Sequence, residues 1–385
     1  MELVGRFFEP PRSSFFLFGP RGTGKTVWTT DAFPDALRVD LLDPETYRLY
    51  GARPERLREI VDGHPDARQV VVDEVQRVPE VLSVVHELTR RRGRSQQFIL
   101  TGSSSRKLKR TGVDMLAGRA VVKTMHPYMA GELLGRFDLV RALRQGLVPL
   151  VVESPEPEET LRTYATLYLR EEVLYEGIVR QVGAFARFLE TMSLSHGRTL
   201  NTSNVARECQ VGRKTVEGYV AILEDLLLGW RVPVFERRTR RELAAHPKFY
   251  FFDAGVFRSL RPAGPLDRPE EIDGAALEGL VAQHLRAWIG YRRDRHDMFH
   301  WRTRSGVEVD FVIYGETGIW AVEVKNASRV QSVDLRGLRS FRDDYPQTVA
   351  ILLYRGRERL RIGGIHCVPV ADFLKRLHPG RALFQ

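Results

Sequence analysis

A short apolar run that passes into a glycine-rich turn near the amino terminus constrains the fold more than any other stretch of this sequence. Residues 15–18 read FFLF, and residues 19–26 read GPRGTGKT, which matches G-x-x-x-x-G-K-[ST] at every fixed position. Without a Cβ, Gly22 and Gly24 let backbone N–H groups curl around phosphate oxygens, and a helix beginning near Lys25 directs its positive end at the same anion. The stretch therefore predicts a P-loop between a buried strand and a helix.

The P-loop carries expected contacts for ATP and Mg²⁺. Lys25 should contact the β and γ phosphates, and the Thr26 hydroxyl should be a Mg²⁺ ligand. A glycine-rich turn that binds nothing is the alternative, but strand, loop and Lys-Thr pair are all present. The predicted nucleotide-binding residues of this loop are Gly19, Pro20, Arg21, Gly22, Thr23, Gly24, Lys25 and Thr26.

A second apolar run, residues 69–75 (QVVVDEV), predicts a buried strand that ends in two acids. Parallel sheets keep their ligands at the carboxyl ends of the strands, where Asp73 and Glu74 would lie. This is a Walker B pattern, in which Asp73 holds Mg²⁺ through its water shell and Glu74 orients and deprotonates the attacking water. A strand that merely ends in acids is the alternative, and the P-loop argues against it.

Residues 97–101 (QFILT) predict a further strand whose end would lie near the γ phosphate. Thr101 or Ser103 could sense hydrolysis there by hydrogen bonding, although a Gly-Ser turn explains the same residues. Arg119 comes just before another predicted strand, residues 120–125. From that position it could reach the nucleotide of a neighbouring subunit in a homo-oligomer, although an arginine paired with a local carboxylate would look the same.

Composition predicts a folded protein with an anionic partner. The chain has 385 residues, 43% hydrophobic and 28% charged, with 59 Lys and Arg against 49 Asp and Glu and a net charge of +10. Nucleic acid, DNA in particular, is the expected partner. Cys209 and Cys367 are isolated, which favours neither a zinc site nor a disulfide and points to a reducing cytoplasm. No signal peptide or apolar run of membrane-spanning length is present in the sequence, so we expect no membrane association.

Four motifs together resemble a known family. GPRGTGKT, VVVDEVQRVPEVLSVVHEL, FILTGSSSRKLKR and LAGRA are similar to AAA-type ATPases (AAA+ superfamily) of bacteria and archaea that carry a C-terminal domain of unknown function. The resemblance covers nearly the whole chain. It implies a five-stranded P-loop core, Thr101 or Ser103 in the sensor position, and Arg119 as an arginine finger.

The middle of the chain predicts a helix-turn-helix. Residues 202–209 (TSNVAREC) open with a capping-type sequence, residues 211–213 form a short turn, and residues 214–228 are amphipathic. WRVPVF and a basic run then suit a winged-helix hairpin. The domain either contacts DNA or packs only as a lid on the ATPase core, because Glu217, Glu224 and Asp225 on the same helix oppose DNA binding. The candidate nucleic-acid residues are Arg213, Lys214, Arg237, Arg238, Arg240 and Arg241.

Near the carboxyl terminus, acids alternate with a lysine on two predicted strands. Asp310 belongs to residues 308–314, and Glu323 and Lys325 share one face of residues 319–325. The pattern is similar to the PD-(D/E)xK nuclease core, which implies that Asp310 and Glu323 hold Mg²⁺ or Mn²⁺, that Lys325 activates water, and that Glu278 adds a third acid. E-x-K alternation on a solvated strand, or a nuclease-like fold without activity, are the alternatives.

Taken together, the sequence predicts an α/β protein. Its parts are a P-loop NTPase parallel-sheet core (residues 1–135), a helical and winged-helix domain (136–245), a linker (246–272) and an α/β restriction-endonuclease-like domain (273–385). The expected function is ATP binding and hydrolysis, acting on or regulated by nucleic acid. The alternative is a nucleotide-dependent switch whose C-terminal domain binds a protein partner and cuts nothing.

Overall fold

The computed structural model describes residues 3–91, 96–104, 119–168, 182–237, 246–265 and 267–384. The chain separates into two compact units. The first, called the P-loop unit, comprises Phe8–His126 and Asp225–Leu227. The second, called the C-terminal unit, comprises Met1–Phe7, Pro127–Glu224 and Leu228–Gln385.

The P-loop unit is built on a five-stranded parallel sheet in the order β2-β3-β4-β1-β5. Its central strands are apolar and buried along their length, as expected where helices cover both faces of a parallel sheet. The strands are β1 (Ser14–Phe18), β2 (Leu37–Asp40), β3 (Gln69–Asp73), β4 (Gln97–Gly102) and β5 (Ala120–Thr124). The helices are α1 (Lys25–Ala32), α2 (Pro44–Ala52), α3 (Arg56–Gly63), a 3₁₀ turn (Val75–Arg77) and α4 (Val81–Arg90).

Every strand predicted for this sheet is present with boundaries that differ by up to two residues, and the early end of β3 has a physical reason. Strand β3 ends at Asp73 rather than at Val75. Glu74 has a φ of 56°, in the left-handed region, so it cannot continue an extended strand and instead begins the 3₁₀ turn. The turn redirects the chain immediately after the two acids.

The C-terminal unit combines helices with a six-stranded and a two-stranded sheet. Its helices are α5 (Leu139–Gln145), α6 (Pro149–Val152), α7 (Pro157–Thr163), α8 (Val182–Leu194), α9 (Thr202–Cys209), α10 (Arg213–Asp225), α11 (Ala254–Leu260), α12 (Pro269–Tyr291), α13 (Arg336–Asp344) and α14 (Val370–Arg376), with shorter turns at Leu134–Arg136, Tyr164–Tyr168 and Ser332–Leu335. Its strands are β6 (Gly229–Val232), β7 (Lys248–Phe251), β8 (His296–Arg302), β9 (Glu308–Gly315), β10 (Gly318–Lys325), β11 (Val349–Tyr354), β12 (Leu360–Ile362) and β13 (Ile365–Pro369).

The larger sheet runs β12-β13-β11-β10-β9-β8 and is mixed. Strands β8, β9 and β10 form an antiparallel meander, and α13 then connects β10 to its parallel neighbour β11. Trp301, Leu338 and Phe341 pack in the apolar core on one face, together with Phe235 from the segment after β6. The acids predicted on β9 and β10 therefore lie on adjacent strands of one sheet.

The predicted helix pair is present as α9 and α10, followed by the antiparallel pair β6 and β7. Asn201 caps α9, since its Oδ1 accepts from the N–H groups of Ser203 and Asn204 at 3.1 Å. Residues 246–272, assigned as a linker segment, contain the apolar strand predicted at residues 248–252, which is β7, and in addition α11. Asp253 caps α11 from a fully buried position, so this segment belongs to the core of the unit. Over the described residues, no helix combines the length and apolar character needed to cross a membrane.

Candidate functional site

The P-loop adopts the geometry that its glycines predict. Gly22 and Gly24 have φ values of 78° and 86°, which an L-residue rarely adopts, and Gly24 is the N-cap of α1. A Cβ on Gly19 would lie 2.6 Å from the carbonyl oxygen of Met125, so a side chain there would displace the loop. The loop therefore places the first N–H groups of α1 beside the end of β1, where a phosphate can bind.

Lys25 is buried at the head of α1 and folds back over the loop. Its Nζ donates to the carbonyl oxygens of Gly19 at 2.7 Å and Pro20 at 3.3 Å. Thr23 also donates to the carbonyl of Pro20, at 2.7 Å. The lysine ammonium is thus held above the turn, within reach of the phosphates predicted for this position.

Asp73 links the P-loop to two strands of the sheet. Its Oδ2 accepts a hydrogen bond of 2.6 Å from the Thr26 hydroxyl, and its Oδ1 accepts from the hydroxyl of Thr101 at the end of β4. The carboxyl ends of β3 and β4 meet here because the two strands are parallel neighbours. A hydroxyl and a carboxylate are the oxygen ligands that Mg²⁺ prefers, so Thr26 and Asp73 fit the predicted metal.

Glu74 is positioned by Gln76, a residue that the motifs did not identify. The amide nitrogen of Gln76 donates to the Glu74 carboxylate and, at 3.1 Å, to the Ser103 hydroxyl. The Glu74 N–H donates to Thr101 Oγ1 at 3.2 Å. A Cβ on Gly102 would lie 2.4 Å from Oε1 of Gln76, so glycine leaves the room this side chain occupies. The structure therefore brings Glu74, Thr101 and Ser103 together, as the sequence predicts, and adds Gln76.

Arg119 lies near the amino-terminal ends of the strands in this sheet, opposite the P-loop. It immediately precedes β5, whose first residue Ala120 pairs with Ser14 at the start of β1, whereas the P-loop follows the end of β1. Its guanidinium contacts Nε2 of His86 on α4. Arg119 is therefore not part of the P-loop cluster of its own chain, and a role in a neighbouring subunit stays a prediction.

The predicted nucleic-acid residues are only partly described. Arg213 and Lys214 are exposed at the start of α10, and Arg213 pairs with Glu217 at 2.9 Å. The guanidinium of Arg237 lies 4.6 Å from the ring centroid of Tyr314. Arg238, Arg240 and Arg241 lie outside the described residues.

The C-terminal acids occupy one buried cluster. Asp310 on β9 accepts from the N–H of Val324 at 3.0 Å, and Glu323 on β10 accepts from its own strand neighbour Lys325 at 2.6 Å. Burial and repulsion by Asp310 raise the pKa of Glu323 well above its usual value. Oε2 of Glu323 is buried and has no hydrogen-bond partner among the described residues.

Lys248, at the start of β7, is the residue that sequence reasoning missed. Its Nζ donates to Asp310 Oδ1 at 2.9 Å and to Glu278 Oε1 at 3.0 Å, and only 3% of its side chain is exposed. Burial opposes the charged ammonium, but attraction to Asp310 and Glu278 prevails and raises the pKa of Lys248 well above its usual value. For Glu278, burial and repulsion by Asp310 raise the pKa to about 7.

The structure does not assemble Glu278, Asp310 and Glu323 as the predicted metal centre. Among the described residues, no three acidic, histidine or cysteine side chains gather in a geometry that could hold a metal ion. The physical reason is the ammonium of Lys248, which lies between Glu278 and Asp310. This set therefore does not fit a divalent metal in the arrangement described.

The fold and the P-loop network define a class, the P-loop ATPases. Residues 11–134 match the family model of the AAA domain, and residues 136–267 and 273–373 match two domains of unknown function, DUF8612 and DUF4143. Residues 11–134 are therefore similar to the AAA domain, and this similarity supports ATP binding and hydrolysis.

Two similar proteins are described as uncharacterised. Uncharacterised proteins of Mycobacterium tuberculosis and Mycobacterium bovis are each 24% identical over 308 residues, which is 79% of this chain and 68% of theirs. Among solved structures, replication initiator DnaA bound to AMPPCP and single-stranded DNA is 14% identical, covers 56% of this chain and 83% of its own, and gives a TM-score of 0.28. Protein VC1899 from Vibrio cholerae is 14% identical, covers 90% and 97%, and gives 0.23. Such TM-scores are too low to support an argument.

Proposed function

We propose that the chain is an ATP-hydrolysing AAA-type protein that acts on nucleic acid or is regulated by it. One observation carries the proposal: Thr26, Asp73 and Thr101 form a continuous hydrogen-bonded network beside Lys25 and Glu74. Each residue type that phosphoryl transfer requires is present at the carboxyl edge of one parallel sheet.

The residues have separate roles in this mechanism. Lys25 exchanges its contacts with the loop carbonyls for the β and γ phosphates of ATP, while the loop N–H groups bind the same oxygens. When bound by Thr26 and Asp73, Mg²⁺ supplies charge neutralisation at the phosphates. Glu74 orients the attacking water and accepts its proton, and Gln76 holds the Glu74 carboxylate towards Ser103.

Nucleic-acid binding is proposed for the helix pair and the segment that follows it. The net charge of +10 and the exposed Arg213 and Lys214 support it, as does the basic run from Arg237 to Arg241. The alternation of helices and a two-stranded sheet in this region is compatible with a winged helix. A cytoplasmic location and a homo-oligomer in which Arg119 acts in trans are parts of the same proposal.

A second candidate function is a nucleotide-dependent switch whose C-terminal domain binds a protein partner and does not cut nucleic acid. The domain from residue 273 onward has the helix and mixed sheet expected of a nuclease-like fold, but Lys248 lies among its acids. That position favours the non-cutting alternative.

One experiment separates the two functions. The purified protein is incubated with DNA and with RNA, in Mg²⁺ or Mn²⁺, with and without ATP, and both phosphate release and nucleic-acid length are measured. Phosphate release with intact nucleic acid supports the switch. Cleavage that disappears in Asp310→Asn supports a nuclease, and no phosphate release would contradict the ATPase proposal.

A further inference from the structure

Lys248 joins three elements of the C-terminal unit through a single ammonium group. The lysine comes from β7, Glu278 from α12 and Asp310 from β9, and the two Nζ–oxygen distances are 3.0 and 2.9 Å. The Tyr250 hydroxyl, on the same face of β7, donates to the same Glu278 oxygen at 2.6 Å. Charge-assisted hydrogen bonds of this kind are strong when they are shielded from water.

The backbone of β7 fixes where the ammonium lies. On one side Lys248 pairs with Val232 of β6, and on the other the N–H of Phe249 donates to the carbonyl of Arg198 at 3.2 Å. The carbonyl of the preceding Pro247 accepts from the N–H of Leu200 at 2.8 Å. Strand β7 is therefore held along both edges, and the lysine is delivered to the acids by the fold.

Each acid of the cluster has an ammonium group beside it. Glu278, Asp310 and Glu323 face two ammonium groups, those of Lys248 and Lys325. Oε2 of Glu323 is the buried oxygen without a hydrogen-bond partner among the described residues. Between Glu278 and Asp310 the cation is Lys248, whose ammonium donates to both carboxylates.

A divalent ion and this ammonium cannot share the position. Mg²⁺ binds carboxylate oxygens at about 2.0–2.1 Å and requires near-octahedral coordination. The carboxylates around Lys248 are spaced for hydrogen bonds, and an ion placed there would meet a positive charge shielded from solvent.

We propose that Lys248 is a built-in cation that occupies the metal position of the C-terminal acidic cluster and excludes divalent metal from it. The inference rests on the proposed nuclease-like character of this domain and is independent of ATP hydrolysis. It predicts that Glu278 and Asp310 stabilise the fold of the C-terminal unit through their contacts with Lys248. It also predicts that removal of Lys248 exposes a metal site.

The test measures Mn²⁺ binding by the full chain without nucleotide. Electron paramagnetic resonance measures the free Mn²⁺, and thermal melting measures the stability of the protein. Lys248→Ala should bind one more Mn²⁺ per chain than the wild type, and Mn²⁺ should raise its melting temperature. Adding Asp310→Asn to Lys248→Ala should remove both gains. Lys375→Ala, which removes an exposed lysine of the same unit, is the matched control and should behave as the wild type.

Two results would overturn the proposal: Mn²⁺ bound by the wild type and lost in Asp310→Asn, or a folded Lys248→Ala variant that gains no Mn²⁺. If Lys248→Ala folds only when Mn²⁺ is added, the metal has replaced the ammonium and the proposal stands. If Lys248→Ala does not fold even with Mn²⁺, Mn²⁺ binding by the wild type is compared with binding by Asp310→Asn. The proposal predicts that these two proteins bind equal amounts of Mn²⁺. Phosphate release from ATP by the same preparations tests the ATPase proposal separately.

Discussion

The Thr26 hydroxyl and the Asp73 carboxylate are joined by a hydrogen bond of 2.6 Å, although 47 positions separate them in the chain. The bond connects the first turn of α1 to the end of β3. Because Thr101 donates to the other Asp73 oxygen, the carboxylate is held from two sides. The two residues proposed to bind Mg²⁺ are therefore adjacent in the fold.

Lys25→Ala should abolish nucleotide binding or turnover, because the ammonium supplies the charge that faces the β and γ phosphates. Losing a charged donor at a transition state typically costs on the order of 100-fold in rate or more. Phosphate release and binding of a fluorescent nucleotide measure the effect. Arg12→Ala removes an exposed positive charge from the same unit and should leave both unchanged.

Glu74→Gln should separate binding from hydrolysis. The substitution leaves Asp73 in place but removes the carboxylate that accepts the proton of water, so ATP should bind and persist. Turnover should fall by roughly 100-fold to 10,000-fold, the usual contribution of a general base. Equal single-turnover rates for the variant and the wild type would show that the Walker B assignment is wrong.

Gln76→Ala should lower turnover with little change in the affinity for ATP. The side chain holds the Glu74 carboxylate and the Ser103 hydroxyl in one arrangement. Misplacing the base should reduce kcat by about tenfold while KM stays constant. Gln69→Ala, at the opposite end of β3, is the control. A change in KM alone would show that Gln76 acts in binding.

The catalytic edge of the P-loop unit could be predicted because its residues belong to short motifs. Residues 19–26 specify their own backbone, so Lys25 and Thr26 lie in the first turn of α1 as the motif predicts, and their roles stay predictions. Gln76 differs, since its importance depends on Ser103 being brought alongside by strand pairing. No spacing rule in one sequence conveys that contact.

The C-terminal acids show more clearly which contacts cannot be predicted from the sequence. Asp310 and Glu323 could be placed on adjacent strands by alternation, and the sheet confirms that placement. Lys248 lies 62 positions before Asp310, at the start of a short apolar strand within the segment assigned as a linker, and its spacing from Asp310 does not identify it as a partner. A buried lysine in a short apolar strand was the available signal, because an unpaired ammonium is too costly to bury.

The basic run at residues 237–241 should make DNA binding depend steeply on salt. Replacing Arg237, Arg238, Arg240 and Arg241 together by Ala should reduce the slope of log K against log salt by up to about three to four, if each contacts a phosphate. Fluorescence anisotropy with a labelled duplex at several salt concentrations measures the slope. A control that removes the same charge replaces exposed arginines of the P-loop unit, Arg12, Arg48, Arg53 and Arg68. An unchanged slope would favour the lid interpretation.

His196 should make the stability of the protein depend on pH in the acid range. The ring is buried, stacks on Phe257 with centroids 4.0 Å apart, and accepts at Nδ1 from the N–H of Phe251 at 3.1 Å. Burial lowers the pKa of His196 to about 3, from 6.5 for the free side chain. Between these values the unfolded state binds the proton and the folded state does not, so the free energy of unfolding decreases as pH falls.

Because one proton is involved, the free energy of unfolding should change by ~1.4 kcal/mol per pH unit between about pH 6.5 and 3. Glu278 contributes with the opposite sign, because its raised pKa of about 7 favours the folded state at low pH. Comparison of the wild type with His196→Gln removes the Glu278 contribution, which both share. The stability advantage of the wild type should therefore be constant above pH 7 and shrink towards pH 4 in urea unfolding. Ser195→Ala changes the neighbouring residue without removing a titrating group, so its difference from the wild type should stay constant with pH. A pH-independent difference for His196→Gln would show that the ring binds the proton equally well in the folded and unfolded states, which would contradict a lowered pKa.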